Sequence, residues 1–502
     1  MRYFDVLTRH HSQKLLGGYI YGFESNIPRG TVVKIPFRQK HEAGIVSGEI
    51  ETLSINPARV KKIISADRKI VVPDFILKLS ETVSKYYCTS QGETIFELLP
   101  NNLESDSIKF TRQVASPPNS RELIVGYFQK RMLYYLQLLS QSTQPTLILL
   151  PNYRILEVVK RYLLETMEVP RVLVISDRLK KIEYVRALTQ FANKKVNVVL
   201  SVRGGVKLLG LGFTRIIIDD PLNYGFYNDR KPAYLTRLIL ETLQESANYQ
   251  LYLGSSSIDP ESLYQLRHGQ ISLNKLSGHT NPLLKWSEVS IDKLSNSLGG
   301  KINLIVCPYS SLELGKASNL SVRGVVNIVS GDTTSLEAGK AFTIPNRRPI
   351  TIVATKKILD YQELLFDETV ILGLDHWLSQ PGSDNMYETL DMIWRLMGQT
   401  KNKFIVQSSR PVALFEEMLG LGIPSSLEKF MSSRYAFKLP PYSRKVDIYC
   451  DNVDNMTRTI VGGVNTVADK KKLSTFIPRN TWPPKNIDEV YRLSNKVLVD
   501  AS

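Results

Sequence analysis

The chain has 502 residues, 43% of them hydrophobic and 22% charged, a balance ordinary for folded protein and long enough for roughly three to five domains. Its 64 Lys and Arg outnumber 48 Asp and Glu, and the resulting charge of +16 suits a polyanion partner such as nucleic acid. Cys88, Cys307 and Cys450 form no C-x-x-C pair, no run of about 18 apolar residues occurs, and Met1–Asp5 lacks the apolar core of a signal peptide. These features argue against disulfide-rich, zinc-ribbon, membrane-spanning and secreted classes, and the expected compartment is the cytoplasm.

The first hundred residues read as a β-rich module. Val32–Phe37 and Ala43–Val46 are short apolar runs separated by charged turn material. A helix is expected after Pro73-Asp74, with Phe75, Ile76, Leu79, Val83 and Tyr86-Tyr87 at helical spacing. A second short helix lies between Gly92 and the Pro100-Asn101-Asn102 stop. Residues 104–120, with Ser116-Pro117-Pro118-Asn119-Ser120, read as a linker.

From residue 121 short apolar strands alternate with longer amphipathic helices. Leu123–Val125, Thr146–Leu150, Val172–Ile175, Val196–Leu200, Arg215–Ile218 and Gln250–Leu253 form one strand series. Asn303–Val306, Val325–Val329, Thr351–Ala354, Thr369–Leu372 and Phe404–Gln407 form a second, joined to the first through residues 273–300. The alternation predicts two tandem α/β lobes with parallel sheets. A smaller α+β region begins near Pro411.

Two such lobes on a basic chain suggest a nucleic-acid motor, which needs a glycine-rich loop ending in Lys and Ser/Thr to cradle phosphate. No G-K-[ST] occurs. The first strand is followed by Gly126-Tyr127-Phe128-Gln129-Lys130-Arg131, where side chains stand in place of the glycines that a phosphate nest requires. Lys130 and Arg131 are remnant phosphate contacts at most. A strand ending in two acids survives as Ile216-Ile217-Ile218-Asp219-Asp220, the place for magnesium and water in a motor, although such acids are also a common strand exit.

These segments, in this order, resemble the primosomal protein N′ (PriA-type) family of replication-restart helicases. The N-terminal part resembles it at Gly30–Phe37, Gly44-Ile45-Val46, Tyr86-Tyr87, Gly92-Glu93 and Leu99-Pro100. The lobes resemble it at Leu149-Leu150-Pro151, Arg203, Ile216–Asp220, Pro232–Arg237, Gly254–Ser257, Asp332–Ser335 and Ala354-Thr355-Lys356. Leu439–Arg444 resembles the start of the family's C-terminal domain. The departures are equally specific. The glycine-rich loop is replaced, the D-E-E-H box reads Asp219-Asp220-Pro221-Leu222, the zinc-binding cysteine insertion is missing, and Gly398-Gln399-Thr400-Lys401-Asn402 stands where the family carries its transition-state arginines.

The resemblance implies a multidomain protein: a β-rich 3′ DNA-binding module over 1–103, a linker over 104–120, degenerate RecA-like α/β helicase lobes over 121–272 and 273–410, and a shortened α+β C-terminal domain over 411–502. The expected role is a DNA-binding scaffold at replication forks whose ATPase has been lost, cytoplasmic and nucleoid-associated. Its expected partners are forked or single-stranded DNA and other replication proteins, with no membrane. The alternatives are a divergent ATP-dependent 3′-to-5′ helicase using Asp219 and Asp220, and an interaction subunit that no longer binds DNA. No cofactor is expected; ATP and magnesium enter only with the helicase alternative.

For DNA contact the candidates are Tyr19, Tyr21, Lys34, Arg38, Lys61, Lys62, Arg203 and Arg237. Tyr19-Ile20-Tyr21 is the nearest match to the family's F-[DT]-Y stretch, and Ile20 lacks the acid that would receive a terminal hydroxyl. Arg68 and Lys69 extend the basic cluster of Lys61 and Lys62. Lys470-Lys471-Lys472 with Arg479 and Trp482 mixes cations with an aromatic ring, as single-strand sites do. His10-His11 is a poor chelate, because adjacent strand residues point apart.

Overall fold

The computed structural model describes residues 1–53, 55–101, 110, 119–166, 172–276, 283–287, 298–308, 325–329, 350–379, 385–408, 422–460, 463–469 and 471–499. Most of the expected linker, the stretch Asp332–Ser335 and Lys470 lie outside these residues. The chain forms two compact units. One comprises Met1–Glu122, Leu139–Leu253 and Phe437–Ser502; the other comprises Leu123–Leu138 and Gly254–Ala436.

The N-terminal module is a six-stranded sheet: β1 (Arg2–Leu7), β2 (Tyr19–Phe23), β3 (Thr31–Phe37), β4 (Lys40–Ile50), β5 (Lys61–Lys62) and β6 (Ser65–Val71), in the order β5-β2-β1-β4-β3-β6. Ile63 N–H donates to Gly22 O and Ile64 N–H to Lys34 O, both at 2.9 Å, so the segment after β5 bridges β2 and β3 and the sheet curls on itself. Phe4, Val6, Tyr21, Val33, Ile35 and Val46 alternate along their strands into one core. Each such side chain contributes about 1.5–3 kcal/mol by leaving water.

Helix α1 (Asp74–Tyr87) buries Ile76, Leu77, Leu79 and Val83 and stops at Cys88, whose φ of 50° is left-handed. Helix α2 (Gln91–Glu97) is capped by Ser90, which accepts from Glu93 N at 3.3 Å and donates to the Glu93 carboxylate at 2.5 Å.

Beyond the module the fold is mixed α/β and multidomain. A seven-stranded sheet contains β7 (Ser120–Val125), β8 (Thr146–Leu149), β9 (Val172–Val174), β10 (Val198–Ser201), β11 (Arg215–Asp219), β14 (Gln250–Ser255) and β15 (Ser272–Lys275). Its order is β15-β7-β14-β11-β8-β10-β9, and β11, β8, β10 and β9 pair in parallel. The hairpin β12 (Tyr227–Asn228) and β13 (Tyr234–Leu235) stands apart from it. Helices α3 (Phe128–Ser140), α4 (Tyr153–Thr166), α5 (Lys181–Ala192), α6 (Thr236–Leu243) and α7 (Pro260–Arg267) fall between its strands in sequence, α6 directly after the hairpin. Strands such as β8 and β11 are buried at every residue, as a sheet covered on both faces requires.

The second sheet holds β16 (Leu283–Ser287), β17 (Ile302–Val306), β18 (Val325–Val329), β19 (Ile350–Ala354), β20 (Phe366–Ile371) and β21 (Thr400–Gln407), all parallel, in the order β16-β21-β20-β17-β19-β18. Helices α8 (Leu374–Ser379) and α9 (Asn385–Gly398) pack on it through Leu374, Trp377, Leu390 and Ile393. Helix α10 (Gly422–Ala436) follows.

The last region runs β22 (Ser443–Cys450), α11 (Val453–Thr459), β23 (Val464–Asp469), β24 (Lys472–Pro478), α12 (Ile487–Leu493) and β25 (Ser494–Val499). This β-α-β-β-α-β sequence makes an antiparallel sheet of order β23-β24-β22-β25. The strands of both expected α/β series are present, with ends shifted by a few residues.

Within the first unit α1 is held at its C-terminal end by two other segments. The Tyr87 hydroxyl accepts from Leu235 N–H at 2.9 Å, and Trp482 Nε1 donates to Tyr86 O at 2.9 Å. Tyr86-Tyr87 and Pro232–Arg237, far apart in sequence, therefore meet. No helix among the described residues is long and apolar enough to cross a membrane.

Candidate nucleic-acid interface

The sheet of the N-terminal module presents an aromatic mouth. Phe37 ends β3 on the same face as the core residues Val33 and Ile35, at the rim where burial gives way to solvent. The His10 ring stacks on it at 4.3 Å and 4°, and Tyr19 meets it edge-on at 5.3 Å. Arg38 places its guanidinium 5.9 Å over the same ring. Its φ of 52° is the left-handed turn that sends the hairpin into β4, where Lys40 pairs opposite Phe37. Arg38, Lys40 and Lys34 are exposed. Aromatic faces beside cations are what stacked bases and phosphates require.

The expected site residues divide into two groups. Tyr19 lies at the mouth, its hydroxyl donating to His11 O at 2.8 Å. Lys34, Arg38, Lys61 and Lys62 are exposed on the module; Lys62 approaches Glu24 at 3.7 Å, and Lys61 sits opposite Tyr21 across the β2–β5 pairing. The side chains of Arg68 and Lys69 lie outside those described.

Tyr21 is a correction. It is 4% exposed, donates to Pro36 O at 3.3 Å, and has its phenol pushed up to about 12 by burial, with the charges of Tyr19 and Glu42 adding to the effect. It is core and cannot stack on a base. Arg237 is a second correction: it is buried and gives Nε to Glu241 at 2.8 Å, so its charge is spent inside the fold. Arg203 is half-buried and donates to Tyr227 O, which holds it in the structure rather than on an open surface.

Asp5 was not among the candidates. It lies opposite Ile20 in the β1–β2 register and accepts from Gly18 N at 2.9 Å and from the Ser47 hydroxyl. Asp5 is therefore already engaged in the module's own hydrogen bonds. A Cβ on Gly18 would fall 1.9 Å from Val6 O, which explains why glycine stands there. The signal for Phe37 and His10 was present in sequence, since Phe37 ends the strand run and His10 follows β1, but only folding puts the two rings face to face. His10 and His11 turn to different acids, Glu42 at 2.6 Å and Glu93 at 3.3 Å. No group of three metal-ligating residues exists among the described residues.

The remnant motor elements have definite places. Lys130 is exposed. Arg131 is 0% exposed and donates to Gly126 O at 2.6 Å, Ser256 Oγ at 3.0 Å and Gln362 Oε1 at 2.7 Å. The Tyr127 ring lies so close to Gly398 that a Cβ there would meet it at 1.7 Å. A cavity of about 10 Å³, lined by Tyr127, Phe128, Ser256, Gln362, Arg395 and Gln399, is the space left over, enough for one water. Gln399 Nε2 donates to Tyr361 O at 2.9 Å and Leu364 O at 3.2 Å, and Lys401 pairs with Asp367 at 3.4 Å. Asp219 and Asp220 are both buried; Asp220 has φ 59° and accepts from Asn223 Nδ2 at 3.1 Å.

Near the C-terminus, Trp482 is 6% exposed and Arg479 donates to Pro441 O at 3.2 Å, so the expected pairing of this ring with cations in a single-strand site does not form. Lys471 and Lys472 lie at the turn into β24.

Several solved structures are distantly similar. The DUF1998 helicase MrfA bound to DNA aligns with a TM-score of 0.41 and 12% identity, over 70% of this chain and 58% of that chain. RecG bound to a three-way DNA junction aligns with a TM-score of 0.40 and 12% identity, over 65% of this chain and 44% of that chain. The E. coli DExH-box NTPase HrpB aligns with a TM-score of 0.41 and 14% identity, over 59% of this chain and 40% of that chain. This chain thus spans less than two thirds of each of the three. No curated protein sequence matches it. The segment that carries Tyr19, Phe37 and Arg38, residues 13–100, matches the family model of the PriA 3′DNA-binding domain (3′BD).

Proposed function

We propose that this chain binds forked or single-stranded DNA through its N-terminal module and acts at replication forks as a scaffold, in the manner of a PriA-type protein that has lost its ATPase. The observation that carries the reading is the match of residues 13–100 to a 3′ DNA-binding domain, on a module whose mouth gathers Phe37, Tyr19, His10 and Arg38. The net charge of +16 supports a polyanion ligand. Loss of the ATPase is supported by Tyr127, just before α3, and Arg131, in its first turn, and by Gln399 in place of an arginine. A scaffold role implies other replication proteins as partners and a nucleoid location.

Two measurements test the reading together. Fluorescence anisotropy with a labelled fork should show affinity falling steeply with salt; no binding at low salt defeats the DNA-binding reading. Calorimetric titration of ATP with magnesium, with and without the fork, should give no binding heat. DNA-stimulated ATP hydrolysis above background would return the chain to the motors.

A further inference from the structure

Helix α3 follows β7 in the chain, yet by contact it belongs to the unit that holds the second sheet. The seam where it joins that unit is fastened at alternate residues. The Tyr127 ring lies against Gly398 at the end of α9, on a spot that a side chain at 398 could not share. Gln129 Nε2 donates to Glu363 O at 3.1 Å. Arg131, in the first turn of α3, donates to Gln362 Oε1 at 2.7 Å. The turn after β14 adds a fourth tie: the Ser257 hydroxyl donates to the Asp391 carboxylate of α9, which also holds Arg395 at 2.7 Å.

Arg131 stands at the centre of this seam. Its one guanidinium joins three loops, through Gly126 O after β7, Ser256 Oγ after β14 and Gln362 ahead of β20. The five N–H donors of an arginine in fixed geometry suit such a junction. The side chain is 0% exposed and Gln362 is 6% exposed, so parting the loops would strip a buried cation of its acceptors before water could replace them. The cavity beside it holds one water at most.

A motor turns nucleotide into movement by closing two parts around the ligand and reopening after release. In this chain a side chain of the protein itself joins those parts. We propose that Arg131 is a bolt that fastens α3 to the second unit in one closed arrangement, so that the seam neither opens nor closes with nucleotide and the unit keeps a single conformation. The inference rests on the reading of a lost ATPase and gives the emptied site a present use.

The test is hydrogen–deuterium exchange on the full chain, read at the amides of α3 and, for comparison, at β17 and β19. In the parent, α3 should exchange at one rate with and without saturating ATP and magnesium. Gln362→Leu with Ser257→Ala removes two ties and should speed α3 exchange about tenfold or more, while β17 and β19 keep the parent rate. Gln362→Glu keeps an acceptor for Arg131 and should leave α3 as protected as in the parent. A parent whose α3 responds to nucleotide overturns the proposal, and so does a double variant whose α3 exchanges like the parent's. If the double variant loosens the whole unit, Gln362→Glu decides: parent-like protection upholds the bolt and a loosened α3 overturns it. Binding heat for ATP with α3 exchange unchanged would defeat the lost-ATPase reading and leave the bolt standing. No heat, together with a double variant indistinguishable from the parent, would do the opposite.

Discussion

Arg131 is the residue on which the chemistry turns. A buried guanidinium is tolerated only when its N–H groups find acceptors, and here Gly126 O, Ser256 and Gln362 supply them. Arg131→Met keeps most of the volume but strands the Gly126 and Gln362 oxygens. It should cost roughly 2–4 kcal/mol, read as a lower denaturant midpoint. If the ATPase is lost, the same change should leave fork affinity intact. In the module Phe37 and Tyr21 make a matched pair. Phe37→Ala should lose about 1–3 kcal/mol of DNA affinity, whereas Tyr21→Phe removes only a part-buried 3.3 Å hydrogen bond and should leave the binding isotherm unchanged. Equal losses from both would mean that the mouth is not the site. Sequence alone could not rank these two aromatics. Both sit in strand runs, and which one meets solvent depends on where the curled sheet ends.

The β1–β2 pair shows what one element contributes. Asp5 reaches across to Gly18 N and Ser47, and Gly18 passes so near Val6 O that any side chain forces the strands apart. Gly18→Ala should lower the melting temperature and abolish fork binding, whereas Gly48→Ala, which meets nothing within 4 Å, should do neither. The strands β8, β11 and β19 were legible because short runs of Ile, Leu and Val dominate them, the mark of a strand buried on both faces. β1, β2, β5 and β6 were not. Their polar residues alternate irregularly, and β5 is only two residues long, so pairing rather than pattern defines them. Trp482 was misplaced for a related reason: its neighbouring lysines are close in sequence, but its ring is claimed by Tyr86 O.

At the scale of the molecule, the first unit should be sensitive to alkali. Burial pushes the Tyr21, Tyr184 and Cys88 acid groups up to about 12, from ordinary values of 10.0 for the phenols and 9.0 for the thiol. The folded form therefore keeps these protons at a pH where the unfolded chain releases them. Stability is full below about pH 9 and declines as the pH rises toward 12, which a series of denaturant melts would register as a falling midpoint. Flat stability across that interval would mean that the groups are wetter than their surroundings imply. The same burial predicts that the Cys88 thiol reacts slowly with alkylating reagents until the protein unfolds.

The attachment of α1 at Tyr86 and Tyr87 reaches further than the two hydrogen bonds involved. One partner comes from the middle of the chain and the other from near its end, so this helix belongs as much to its neighbours as to the strands before it. A fragment trimmed after residue 103 would carry two raw seams where Leu235 and Trp482 had been. Its solubility and its apparent grip on DNA would then report on those seams, and grafting experiments with this piece should carry its docking partners along.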